Sequence, residues 1–290
     1  AGSSIYTITT DRPGLVEVAP AAGQSSGGTN THDVTFRVPG LAPGTHEGTI
    51  TIEGNARNSP VSIPFAVTIT PALPDVLLVG TDYGYPFASV QDAIDAAQPG
   101  DTVVLWPGTY FENVHFHGKV ITLRSIEPDD RDVVTSTVLD GTAGRWAVQF
   151  SGTETDACVL SGLTIKNSTQ QEWTRGGGIL GGSDTTRTLA RIENNIITRN
   201  VGYGLRYCNG VIQDNEIAGN ATGISDCDGL IQRNRIADNF RGGLRFCDGV
   251  IQNNAITGNI SPSSFDGFAF YYYGGGLYDC DGIIRNNVIA

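Results

Sequence analysis

The 290-residue chain contains no methionine, two lysines (Lys119 and Lys166) and four histidines. The histidines, at 32, 46, 115 and 117, all precede the regular C-terminal part, so no Ser-His-Asp relay can be read there. His115 and His117 alternate along one segment without a third ligand, and read as surface or capping residues rather than a metal site. Acidic residues exceed basic ones by 30 to 18, a formal charge of −12, which argues against nucleic acid as a partner. No apolar run reaches the roughly 18 residues that a membrane-crossing helix needs. A leader sequence and an initiator methionine are both missing, so we expect a processed protein or a piece of a longer one. Five cysteines form an odd set, and a chain of this length does not depend on disulfide staples. The glycine triplets 176–178 and 274–276 lack the strand–loop–helix context of a phosphate loop.

What the chain has in abundance is glycine, 38 residues, and one repeated phrase. Val211–Ile217 returns at 230–236, 250–256 and 283–289, with an earlier variant at 191–197. Between copies stand Gly204-Leu205, Gly223-Ile224, Gly243-Leu244 and Gly276-Leu277. Each is followed by a cysteine and an Asn-Gly or Asp-Gly turn. The period is 19 to 20 residues, with a single step of 33. A fixed period this short signals a solenoid.

If coils stack about 4.8 Å apart, residues one period apart superpose. Ile192, Ile212, Ile231, Ile251 and Ile284 then form one inward column, and Ile197, Ile217, Ile236, Ile256 and Ile289 a second. Ile179, Leu205, Ile224, Leu244 and Leu277 form the third. Asn195, Asn215, Asn234, Asn254 and Asn287 stack between the first two columns, and Asn200, Asn220, Asn239 and Asn259 at the next corner. An amide at a bend donates to one coil and accepts from another, so both ladders read as structural. Cys208, Cys227, Cys247 and Cys280 share a third position and Cys158 does not. Buried thiols, neighbour disulfides and a metal site are the readings for this column; parallel Cβ vectors favour thiols.

The first 72 residues read differently. Ser4–Thr10, His32–Val38, Gly48–Glu53 and Val61–Thr70 alternate apolar and polar residues between turn clusters, the pattern of an antiparallel sandwich. The phrase 41–52, closed by Val61–Ile69, resembles bacterial immunoglobulin-like modules of the BACON type. The resemblance implies an immunoglobulin-like spacer attached to an extracellular or surface protein. Pro71-Ala72-Leu73-Pro74 is a stiff joint, and a second domain is expected over 73–290, regular from about 158. Val90, Ala93, Ile94 and Ala97 share one helical face within 89–97, ended by Pro99-Gly100. This helix, followed by Thr102–Trp106, Pro107–Tyr110 and Val120–Arg124, resembles the opening of right-handed parallel β-helix proteins of the pectate lyase and pectin methylesterase superfamily. The resemblance implies that the helix caps the first coil. The fold expectation is therefore all-β: a sandwich, then a right-handed parallel β-helix with a helical N-terminal cap.

Function is sought where the period fails. The corner after the second Ile column is short in the middle coils but long at 168–177 and 260–275. Trp173 stands in one long loop, and Phe270, Tyr271, Tyr272 and Tyr273 in the other. Two such walls would bound a trough floored by the outward residues Leu180, Arg206, Ser225, Arg245 and Tyr278, with Tyr203 beside them. Arginine takes carboxylates bidentately and aromatic faces suit sugars, so an acidic polysaccharide is the expected ligand. By resemblance to pectate lyases, Arg206 or Arg245 would act as base. Asp226, Asp228, Asp248, Asp279 and Asp281 would hold Ca²⁺. The competing reading makes each Asp-Gly a turn and each arginine a solubilising residue. Two functions stand: an extracellular or cell-surface scaffold for glycan binding or for filamentous, end-to-end assembly with copies of itself, and a polysaccharide lyase or hydrolase acting in the trough. The last rung, 283–289, ends as an open sheet edge, and something is expected to cover it.

Overall fold

The computed structural model describes residues 3–37, 41, 44–69, 75–82, 84–168, 176–260, 264–265, 270–271 and 275–290. The chain divides into two compact units, Ala1–Leu73 and Pro74–Ala290. The Pro71–Pro74 joint lies outside the described residues. In the first unit Ala22–Ser25, Ser4–Thr10, Gly44–Gly54 and Val61–Ile69 form, in that order, an antiparallel sheet. Val16–Ala19 and Asp33–Phe36 pair as a separate ribbon. Ile8, Leu15, Val16 and Ile50 are its small buried core.

The second unit is a parallel β-helix. Three parallel sheets run its length, each taking one strand per coil in chain order. The first has nine strands, from Val76–Val79 to Ile283–Arg285; the second has eight, from Gly108–Tyr110 to Val288–Ile289. The third has seven, from Val114–His115 to Leu277–Tyr278. The registers superpose the predicted columns: Ile192, Ile212, Ile231, Ile251 and Ile284 pair rung to rung, as do Leu205, Ile224, Leu244 and Leu277. Within the coils these side chains are fully buried in one continuous core. On the last coil Ile284 and Ile289 are exposed and Leu277 is half-buried.

Each regular coil turns at three corners, and all three share one device. A residue with positive φ is followed by an inward polar or sulfur side chain. Asp214 (φ 56°) precedes Asn215, Gly219 (66°) precedes Asn220, and Asp226 (54°) precedes Cys227. The left-handed residue reverses the chain tightly, and the next side chain caps the backbone groups the turn uncovers. Asn215 Oδ1 accepts from the backbone N–H of Asn195 at 3.0 Å. Its Nδ2 reaches Ile192 O at 2.8 Å, Gln213 O at 2.8 Å and Asn234 Oδ1 at 3.0 Å. The cysteine column is the third copy of this ladder: the Cys208 N–H donates to Cys227 Sγ at 3.2 Å, and Cys227 Sγ donates to Ser225 O at 3.1 Å. All five cysteines are free thiols. Burial pushes the Cys158 thiol up to about 12 and raises Cys227 and Cys247 well above the ordinary range, so these sulfurs remain protonated caps.

The glycine of each Asn-Gly or Asp-Gly pair has a reason other than the expected turn. Gly210, Gly229, Gly249 and Gly282 are not left-handed; a Cβ there would lie 2.1 Å from a carbonyl oxygen of the preceding coil. The column is glycine because backbone meets backbone.

The helix Val90–Ala96 buries Val90, Ala93 and Ile94 against the start of the solenoid core. One later segment fixes it end to end. Glu112 accepts from the N–H groups of Val90 (2.9 Å) and Gln91 (3.0 Å), and Lys119 Nζ donates to the carbonyls of Ile94, Asp95 and Ala97 at 2.6–3.0 Å. Acid at the helix start and base at its end oppose the helix dipole and satisfy its open backbone groups. Between them, Gln91 exchanges two hydrogen bonds with the His115 backbone, and His117 lies 3.9 Å from Asp95.

Burial first, and then the adjacent His117, hold the His115 imidazole below its ordinary 6.5, while Glu154 and Asp95 oppose this more weakly. The unfolded chain therefore takes up that proton more readily than the folded one. Stability is complete above the unfolded value and falls as pH drops through about 6.5 toward the lower folded value. Thermal unfolding between about pH 7.5 and pH 5 should show this fall, and His115→Gln should flatten it. An unchanged slope in the variant would assign the fall to other groups.

Candidate functional site

The outward face of the third sheet carries most of the aromatic side chains described in the regular coils, with two arginines among them. Gly177–Leu180, Tyr203–Arg206, Thr222–Ser225, Leu244–Arg245 and Leu277–Tyr278 pair in register. This puts Leu180, Arg206, Ser225, Arg245 and Tyr278 in one column. Trp146, Gly177, Tyr203 and Thr222 form the parallel column three residues earlier. Gly177 leaves a gap between two rings, and Trp146 and Tyr203 stack across it, 6.4 Å between centroids and 9° between planes. A Cβ on Gly177 would lie 2.6 Å from the Trp146 ring.

Arg206 is wedged between aromatic faces, 4.9 Å from the Tyr203 ring centre and 4.4 Å from that of Tyr207. Its Nε donates to Asp226 Oδ2 at 2.9 Å on the next coil, and Ser225 Oγ donates to the same oxygen at 2.7 Å. Two rungs on, Arg245 repeats the arrangement, 5.4 Å from the Phe246 ring and 5.2 Å from Tyr278. Phe246 and Tyr278 meet edge to face at 5.6 Å. Arg187, paired with Asp228, also lies over the Tyr207 ring, at 5.4 Å. The result is a stripe of rings and guanidinium groups along the solenoid, in which Arg206 is 24% exposed and Phe246 40% exposed.

Electrostatics bear on the expected base. Burial works to lower the Arg206 pKa, but Tyr203, Asp226 and Tyr207 outweigh it and the net displacement is upward. A guanidinium held as a cation between an acid and two π faces is a donor and a charge; proton abstraction would need it neutral. The Tyr207 phenol is pushed up to about 12, by burial first and by its hydrogen bond to Asp184 second, and so also serves as a neutral ring.

The five aspartates expected to hold Ca²⁺ do not converge. Asp226 faces Arg206 and Ser225. Asp228 Oδ1 accepts from the backbone N–H of Asp248 at 3.0 Å, and Asp248 Oδ1 from that of Asp281 at 2.9 Å, with Asn209 serving Asp228 in the same way. These are rungs of one more capping ladder. Asp279 has φ 51° and occupies the left-handed corner of the last coil. Among the described residues, no three His, Cys, Asp or Glu side chains gather into a group able to hold a metal ion. The donor set does not fit the six to eight oxygens of a calcium shell, and no step is routed through one.

Trp173, Tyr272 and Tyr273 lie outside the described residues. For Phe270 and Tyr271 only the strand is described, pairing with Ser264–Phe265 as a hairpin. The recess at the short corners is about 910 Å³ and is lined by Val201, Ala218, Ala221, Phe240, Arg241 and Ile260, among others. It opens one corner before the Arg206 column. Sequence reading passed over this recess, although Phe240 and Ile260 mark it as exposed apolar residues at equivalent corner positions. It also passed over Tyr207 and Phe246, because bend residues of the αL type are expected to be Gly or Asn rather than aromatic.

Among the described residues no helix is long and apolar enough to cross a membrane. No curated protein matches the chain. Among solved structures, a pectin methylesterase in complex with hexasaccharide VII is 15% identical, with a TM-score of 0.43 over 73% of this chain and 80% of that one. The pectin methylesterase PemA from Erwinia chrysanthemi is also 15% identical, with a TM-score of 0.44 over the same shares. Likenesses at this level carry no argument about activity. A family model described as a right handed beta helix region matches residues 146–290. These residues hold the stacked coils, the Asn and Cys ladders and the stripe, and the chain belongs to the right handed beta helix family.

Proposed function

We propose that the protein is a scaffold that binds a polysaccharide on the outward face of the third sheet. The observation that carries this reading is the stripe itself: rings at Tyr203, Phe246 and Tyr278, with Arg206 and Arg245 set between them. Aromatic faces take the apolar faces of sugars, and fixed guanidinium groups supply directed donors to their oxygens. Stacked coils hold both in a rigid line, so little side-chain entropy is lost on binding. An extracellular or surface setting follows from the ligand, since long polysaccharides lie outside the cell or upon it. On this reading the helix Val90–Ala96 closes the first coil, and the N-terminal unit is an immunoglobulin-like spacer that carries the solenoid.

Retention on immobilised polysaccharides tests the proposal. Tyr278→Ala and Arg245→Gln should each weaken retention of the best ligand by roughly tenfold, with the melting temperature unchanged. Undiminished retention in both variants would move the binding surface elsewhere.

A further inference from the structure

We infer that the stripe takes a linear polysaccharide lying along the solenoid axis, one in which an acidic sugar alternates with a neutral sugar. This rests on the glycan-binding reading above and adds the direction of the ligand and its charge pattern.

Successive rungs present, as outward residue and bend residue, Arg206-Tyr207, Ser225-Asp226, Arg245-Phe246 and Tyr278-Asp279. Over these four rungs a rung bearing an arginine thus alternates with one bearing an aspartate, whereas the rings do not, since Tyr278 stands on an aspartate rung. Nothing in the fold requires this. The core columns repeat every coil, whereas the charges of the stripe alternate from coil to coil over these four rungs. With rungs stacked about 4.8 Å apart, the two arginines recur at about 10 Å. An extended disaccharide covers nearly the same length. A chain lying across the coils would meet one rung and one sign of charge. A chain lying along them meets the alternation, in step with every second sugar.

Asp226 and Asp279 choose among acidic ligands. A polymer carrying a carboxylate on every sugar would set every second one close to an aspartate, where like charges at short range oppose binding. A neutral sugar in that place offers hydroxyl groups, which a carboxylate accepts. The acidic rungs therefore act against the uniformly charged polymer while the arginine rungs favour the alternating one, and discrimination uses both. Arg206 suits this role: Asp226 takes its Nε edge, and the edge formed by its terminal nitrogens is the one that matches a carboxylate.

Calorimetric titration of the whole chain with oligosaccharides of equal length tests this. The ligands are hyaluronan hexasaccharide, in which glucuronate alternates with N-acetylglucosamine, its carboxyl-reduced derivative, and hexagalacturonate. The alternating acid should bind roughly tenfold tighter than either of the others. Asp226→Asn should narrow the gap to hexagalacturonate. Arg245→Gln should remove the gain in affinity between hyaluronan disaccharide and tetrasaccharide, because only the longer ligand carries two carboxylates one disaccharide apart. Hexagalacturonate binding as tightly as the alternating acid, or the reduced derivative doing so, would overturn the charge pattern and leave glycan binding standing. Failure of all three to bind, with other polysaccharides also unretained, would overturn the binding reading beneath it.

Discussion

Asn215→Leu should lower the free energy of unfolding by about 3–5 kcal/mol, among the largest costs available to a single side chain here. Leucine keeps the branched outline and heavy-atom count of asparagine, so the loss is chiefly one of hydrogen bonds. The amide satisfies the backbone N–H of Asn195, the carbonyls of Ile192 and Gln213, and the side chain of Asn234. Residue 215 is 2% exposed, so water cannot replace it. Each buried group left without a partner costs about 1–3 kcal/mol, and relaxation recovers part of the sum. Asn215→Asp should be nearly as damaging, since a carboxylate accepts but does not donate. Urea unfolding monitored by circular dichroism would measure both. A loss below about 1 kcal/mol would mean that the ladder is decoration on a fold held by its Ile columns alone.

Gly229→Ala should be comparably severe, about 3 kcal/mol or more, through overpacking against immovable backbone. Its new methyl group would lie 2.1 Å from Gly210 O and 2.3 Å from Asn209 O. Backbone cannot rotate away as a flexible side chain can, so the coils must separate at that corner. The matched control is Gly219→Ala. Gly219 has φ +66°, but its nearest neighbour is the Thr198 hydroxyl at 3.6 Å, so alanine there has room and costs only the left-handed penalty of about 1–2 kcal/mol. In a solenoid each coil is stabilised chiefly by its neighbours, so hydrogen exchange should speed up first around residues 208–231. Equal melting temperatures for the two variants would refute the close-approach explanation.

The comparison of these two glycines shows where sequence reading succeeds and stops. A period exposes whatever recurs, so the Ile columns, the Asn ladders and the alignment of Leu180, Arg206, Ser225, Arg245 and Tyr278 could all be read from the chain. Physical cause is less visible than position. The Asp-Gly pairs looked like turn dipeptides, yet their glycines serve interstrand approach, and the left-handed residue sits earlier, as Tyr207, Asp226 or Phe246. Cysteine looked unlike asparagine, and only the hydrogen bonds reveal that it fills the same place at the third corner. The clamp of Glu112 and Lys119 on the helix was illegible for a different reason: its partners are more than twenty residues away, in coils that do not repeat. Of the expected site, the floor was legible and the walls fall on residues outside the description.

One further row, Gln213, Gln232 and Gln252, recurs on the outer face of the first sheet. Gln252 donates to Gln232 at 2.9 Å, Gln232 to Gln213 at 2.9 Å, and Gln213 to the Glu193 carboxylate at 2.8 Å. At the far end Arg285 donates to Gln252 at 2.8 Å. A carboxylate only accepts and a guanidinium only donates, so the two ends dictate which way every amide between them must face. The buried Asn ladder hands its protons on in the opposite direction, Asn195 to Asn215 to Asn234. The second buried ladder, Asn200 to Asn220 to Asn239, runs the same way, so the amide dipoles of the solenoid point in one direction inside and in the other outside. The outer row is a written sign: exchanging the charges of Glu193 and Arg285 would reverse its spelling from end to end without moving a single strand.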